Sequence, residues 1–188
     1  MKTPVKFGFF FALIFIIITM IFYLAGISKE AFNVGIMINI FLLLCTLAVG
    51  LFMTKKEDGY QKGIFIQDFK SAMQSGIIYA LTIAGFMFLY HAEIDPSIRQ
   101  ELINKQVEAI HNTVPDAETY ATLQDGDPTW QDKSYDDYIE NMEDQITSMI
   151  SPTAVFVAHL MGLTFFALLF GFFVTLIMRK VVLRDQLQ

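Results

Sequence analysis

The stretch FGFFFALIFIIITMIFYLAGIS, residues 7–28, runs 22 residues without a charge between Lys6 and Lys29. A helix rises about 1.5 Å per residue, so roughly 20 apolar residues cross a hydrocarbon core of about 30 Å. This segment meets that length, and three more like it follow. Ala31–Thr54 lies between Glu30 and Lys55 and supplies a second span at about 33–54. Ser71–Ala92 lies between Lys70 and Glu93 and supplies a third at about 71–91. The interval from Asp144 to Arg179 is too long for one span. Ser151-Pro152 divides it, because serine suits a helix cap and proline the first turn behind it. The fourth span is then about 153–178.

Only helices and closed barrels satisfy every backbone group in lipid, and a barrel would need shorter strands of alternating polarity. The pattern therefore predicts an all-α membrane protein with four transmembrane helices and a helical extracytoplasmic insertion between spans three and four. Residues 1–91 hold the first three spans with an inner loop at 55–70. Residues 92–150 form the insertion, and 151–188 the last span with a short tail. The first run exceeds the roughly 7–15-residue core of a signal peptide, and no clear small-x-small cleavage site follows. It reads as a retained anchor.

Composition agrees. Of 188 residues, 54% are hydrophobic and 17% charged, against about 25% charged in a typical soluble domain. Mean hydropathy is +0.48. Cys45 is the single cysteine, so no intramolecular disulfide forms, and it reads as a small buried hydrophobe.

Lysine and arginine in short loops set orientation. Lys2 and Lys6 precede span one, Lys55, Lys56, Lys62 and Lys70 separate spans two and three, and Arg179, Lys180 and Arg184 follow span four. All fall on one side, which is expected to face the cytoplasm. The insertion carries fourteen acidic and three basic residues, a net of −11, leaving +5 for the remainder. That remainder suits an anionic inner leaflet. No basic patch with interleaved aromatics points to nucleic acid.

Within the insertion, Asp95-Pro96 reads as a cap followed by a first-turn proline. Ile98, Leu102, Ile103, Val107 and Ile110 recur behind it at helical spacing. A second helix is predicted from Ser134, with Asp137 completing an acid variant of the capping box. Its apolar stripe is Tyr135, Tyr138, Ile139, Met142, Ile146 and Met149. Pro115 and Asp125-Gly126-Asp127-Pro128 mark turns. The simple expectation is that the two helices pack on each other or on the bilayer. The sharper one is that Tyr135, Tyr138, Ile139, Met142 and Ile146 receive a protein partner. Asp125-Gly126-Asp127 lacks the rest of a calcium loop.

Small residues recur every fourth position in span three, at Ala72, Gly76, Ala80 and Ala84. Ala158 with Gly162, Ala167 with Gly171, and Gly8 with Ala12 repeat the pattern. Such stripes let helices approach closely within a bundle or in a homo-oligomer.

Polar groups inside a membrane are costly and often functional. With spans two and four running inward and span three outward, Asn39, His91, Glu93 and His159 fall near one level at the outer surface. They form a candidate interhelical hydrogen-bond network or ligand site. Their spacing does not require a metal, and no cofactor is expected.

Gly59-Tyr60, then Phe65-x-x-x-Phe69-Lys70, Asp95-Pro96, Ser151-Pro152 and Arg179-Lys180 follow one another along the chain. Their order resembles the membrane family called domain of unknown function 4199, known mainly from Bacteroidota. The resemblance implies a four-helix bacterial inner-membrane protein; the lysine and arginine bias then predicts both termini cytoplasmic and residues 92–150 periplasmic. It supplies no activity and no site residues.

The expected function is that of a small non-enzymatic accessory or scaffold subunit, with the bilayer and a protein partner or second copy as its contacts. The alternative is a lipid- or solute-binding or transport protein using Asn39, His91, Glu93 and His159. An enzyme ranks last, because no nucleophile, paired carboxylates or metal set accompanies the loop carboxylates.

Overall fold

The computed structural model describes residues 2–61, 64–124, 126, 130 and 133–182. Lys62, Asp125, Asp127, Pro128 and Arg184, used above, lie outside the described residues. Among the described residues every regular element is helical. The order is α1 (Thr3–Leu24), α2 (Phe32–Glu57), α3 (Phe65–Leu89), α4 (Pro96–Thr113), α5 (Ala117–Gln124), α6 (Tyr135–Met149) and α7 (Pro152–Ile177). A π-helical turn, Tyr90–Ile94, continues α3, and another, Met178–Val182, continues α7. Four helices are long and apolar enough to cross a membrane, at Thr3–Leu24, Phe32–Glu57, Phe65–Ile94 and Pro152–Val181. The chain is a multi-pass membrane protein.

The helices overrun the uncharged stretches. Helix α2 continues through Lys55 and Lys56 to Glu57, and α3 starts at Phe65. The sequence suggests a separate short surface helix around Phe65–Lys70. Those residues are instead the opening turns of α3. Phe65 stacks on Phe69 and meets the edge of Phe172 of α7, which holds them in the bundle. The connection from α2 passes through two left-handed residues, Gly59 (φ 62°) and Tyr60 (φ 57°). The Tyr60 amide closes this turn on the Lys55 carbonyl at 2.8 Å.

The chain divides into two compact units. The membrane unit takes residues up to Leu89 and from Phe156 onward. Helix α3 is its centre, burying Asp68, Ala72, Ser75, Tyr79, Ile83 and Met87 at helical spacing. Close approaches use small residues, as lipid-embedded packing requires. A Cβ added at Gly8 of α1 would lie 2.7 Å from the Ser75 carbonyl oxygen. One at Gly76 would meet Leu47 at 2.7 Å and Ala167 at 3.2 Å, and one at Gly171 would meet Met73 at 3.2 Å. The stripes through Gly8, Gly76 and Gly171 are thus internal contacts. Gly162 has nothing within 4 Å of that position, and Ala158 is exposed. Cys45 is half-buried on α2.

The insertion unit, Tyr90–Val155, packs α4 against α6. Asp95 caps α4, its carboxylate accepting the Ser97 amide at 3.2 Å. Ser134 and Asp137 form the reciprocal capping box at the start of α6. Helix α5 was not expected from the sequence, which marks turns on both sides of it. Asp116 caps it by accepting the Thr119 amide at 2.8 Å.

Candidate functional site

Two polar clusters lie in the membrane unit. The first is at the end carrying Lys55. Asp68, in the first turn of α3, is 2% exposed, and Lys55, in the last turn of α2, is 5% exposed. One Asp68 oxygen sits 2.5 Å from the Lys55 ammonium and the other 2.6 Å from the Arg179 guanidinium. Lys55 also donates to the Gln61 carbonyl at 3.1 Å. The π-helical turn behind α7 carries Arg179, and such turns recur at functional sites. One carboxylate thus ties the ends of three spans. Two cations and one anion leave the cluster with a net positive charge. Nearby, the Thr3 hydroxyl donates to the Glu57 carboxylate and joins the start of α1 to the end of α2.

The second cluster lies further along the seam between α2 and α3. The Tyr79 hydroxyl donates to the Asn39 side-chain oxygen at 2.7 Å, with the Asn39 carbonyl oxygen at 3.1 Å. Both residues are buried. Thr46, Ser75 and Thr175, also buried, return their hydroxyls to carbonyls one helical turn back, at Leu42, Ala72 and Gly171. Each of these hydroxyls is satisfied inside the apolar bundle, as burial in lipid demands.

The four residues selected from the sequence are distributed over both units. Asn39 and His159 belong to the membrane unit, where Asn39 is buried against Tyr79 and His159 is half-buried on α7. His91 and Glu93 belong to the insertion unit, where His91 is buried with its ring edge-on to Tyr90, and Glu93 is exposed. The partner that defines the Asn39 site is Tyr79, which sequence reading passed over as an ordinary aromatic.

The candidate partner face of α6 is half-buried within its own unit. Tyr138 packs on Tyr120 and Trp130, with ring centroids 5.1 and 4.9 Å apart. Tyr135 donates to the Val114 carbonyl at 3.0 Å. Ile139, Met142 and Ile146 lie half-buried along the same stripe, while Met149 is exposed. What α6 leaves open is acidic: Asp136, Asp137, Glu140 and Asp144 are all exposed. Hydrogen bonds from the Ser134 hydroxyl and amide hold the Asp137 carboxyl below its ordinary value. The Thr119 amide and hydroxyl do the same for Asp116.

Lys55, Asp68 and Arg179 do not stand out as a site in the sequence, because charges flanking a span report topology first. Asp68 carries the available clue: it is the lone acid in the lead-in to a span, between Phe65 and Phe69, where charge is costly. Among the described residues, no three or more histidine, cysteine, aspartate or glutamate side chains converge as a metal site.

A family model described as a protein of unknown function, DUF4199, matches residues 6–180. No curated protein and no solved structure matches the chain.

Proposed function

The chain belongs to the DUF4199 family of proteins of unknown function, and we propose that it is a non-enzymatic accessory subunit of an inner-membrane or envelope complex. In this reading both termini are cytoplasmic and residues 92–150 are periplasmic. The lysines and arginines flanking the spans support that orientation. The carrying observation is that the insertion is a compact unit with its own helix packing. A small folded module fixed to a membrane anchor presents a surface, and its aromatic stripe is half-buried in holding the module together. Asp136, Glu140 and Asp144 recur every fourth residue on the open side of α6. Like charges at that spacing repel along a helix, and a basic partner surface relieves the repulsion.

The test is photo-crosslinking in native membranes from probes at positions 136, 140 and 144, with a probe at 139 for comparison. The proposal expects a discrete heteromeric adduct from the acidic face. Changing Asp136, Glu140 and Asp144 to lysine abolishes it without loss of membrane insertion. A chain that runs as a free monomer in mild detergent and yields no adduct overturns the reading.

A further inference from the structure

Next to the Lys55–Asp68–Arg179 cluster lie two neighbouring hollows. One, of about 380 Å³, is lined by Thr54, Lys55, Gln61, Gln67, Asp68 and Ser71, with Asp58 at its edge. The other, of about 440 Å³, takes Lys2, Thr3, Lys6, Glu57 and Gln74, and shares Thr54 and Ser71 with the first. Both fall within the roughly 300–1,000 Å³ of small-ligand sites. They differ from ordinary apolar pockets in that Pro4 is the single apolar residue among all their lining residues.

The chemistry on offer is divided. Lys2 and Lys6 are exposed and bring two ammonium groups to the second hollow, against one carboxylate, Glu57, which accepts from the Thr3 hydroxyl. Gln74 adds amide donors there. The shared hydroxyls are already committed as donors: Thr54 to the Gly50 carbonyl at 2.7 Å and Ser71 to the Gln67 carbonyl at 3.1 Å. What Thr54 and Ser71 present to the hollows is therefore acceptor lone pairs, which suit hydroxyls on a ligand. Lys55 and Asp68 form part of the wall of the first hollow, and Asp68 pairs with both Lys55 and Arg179, which keeps α2, α3 and α7 in register. A span end sits at headgroup depth in a bilayer.

We infer that the paired hollows bind a phosphate ester bearing free hydroxyls, supplied by the headgroup of an anionic lipid such as phosphatidylglycerol. The phosphate lies on Lys2, Lys6 and Gln74. The headgroup hydroxyls reach Thr54 and Ser71 and extend toward Gln67. This site is at the opposite end of the membrane unit's polar seam from Asn39 and is independent of any partner of the insertion.

The experiment uses the full chain in nanodiscs of phosphatidylcholine containing phosphatidylglycerol or phosphatidic acid, with retained lipid counted by native mass spectrometry after release. Phosphatidylglycerol is expected to be retained over both other lipids. The Lys2→Gln/Lys6→Gln double variant alters exposed residues and is expected to weaken retention about tenfold. Thr54→Val is expected to abolish the preference for phosphatidylglycerol over phosphatidic acid. Gln74→Leu gives a second reduction that does not depend on removing charge. Soluble glycerol 1-phosphate distinguishes the source: displacement by it assigns the site to a free phosphate ester, and failure to displace assigns it to the lipid. Equal retention of phosphatidylcholine and phosphatidylglycerol, or retention unchanged in the lysine variant, overturns the inference.

Discussion

The Asp68 carboxylate meets the Arg179 guanidinium at 2.6 Å although the two residues are 111 positions apart. Its second oxygen meets Lys55 at 2.5 Å, so three spans depend on one acid. Removing one member of a buried ion pair leaves an uncompensated charge and costs about 3–5 kcal/mol. Asp68→Asn should destabilise the membrane unit by that order in detergent unfolding. The Asp68→Asn/Lys55→Met double variant should recover much of the loss, because no buried cation then remains. Arg179→Gln should cost less, since its side chain is 29% exposed. An Asp68→Asn chain that unfolds with the wild type would refute the clamp.

Gly8 and Gly162 look alike in sequence but should respond oppositely. A Cβ at Gly8 would press on the Ser75 carbonyl and on Ile78, both within 3.0 Å. Overpacking of this kind costs about 1–3 kcal/mol, so Gly8→Ala should lower the unfolding midpoint. Gly162 has open space around it, and Gly162→Ala should be neutral or mildly stabilising through helix propensity. Paired thermal melts decide it, and equal losses at both sites would contradict the packing described.

Tyr79→Phe removes the hydroxyl that Asn39 accepts and leaves a buried amide oxygen short of its partner. Interhelical hydrogen bonds in membranes are worth about 0.6 kcal/mol on average and up to about 1.7. A loss of about 1 kcal/mol is expected. A double-mutant cycle with Asn39→Leu should show coupling between the two positions. Additive losses would mean that Tyr79 contributes through ring packing alone.

The capping box makes α6 sensitive to acid. Hydrogen bonds from Ser134 favour the charged form of Asp137 and lower its pKa in the folded chain. A depressed folded pKa contributes stability above the ordinary carboxyl value of 3.8, and that stability is lost as pH falls through the folded pKa. Protection of the first-turn amides of α6, taken as exchange relative to the intrinsic rate at each pH, should therefore fall below about pH 4. Ser134→Ala should lower that protection already at neutral pH and flatten its pH dependence. A wild-type turn indifferent to pH between 5 and 2 would exclude this role for Asp137.

Much of the architecture was readable in advance because it depends on residues close together in the chain. Span length, the proline after Asp95 and after Ser151, and the Ser134–Asp137 box are local properties, and each appears where its residues stand. Helix α5 escaped notice because eight residues between two turn signals carry too little periodicity to register. The candidate site was less legible. Asn39 stands out for its polarity, but its partner Tyr79 lies 40 positions further along the chain, on the next helix. Lys55 and Arg179 look like ordinary flanking charges when taken singly, and Asp68 alone does not reveal which cations it meets.

The sequence by itself determined four apolar helices, the caps at Asp95, Ser134 and Ser151, the acidic insertion and the concentration of lysine and arginine at one set of span ends. Local composition decides those features, since a continuous apolar run of span length satisfies its backbone in lipid as a helix. The tertiary structure alone decided which charges meet at Asp68, why Gly8 is a contact and Gly162 is not, and that Tyr79 faces Asn39. The reason is rotational. Helices such as α1, α2 and α7 are apolar around most of their circumference, so no stripe marks the inward face. Only the packing of backbone against backbone sets the turn of each helix about its own axis, and with it the identity of every buried pair.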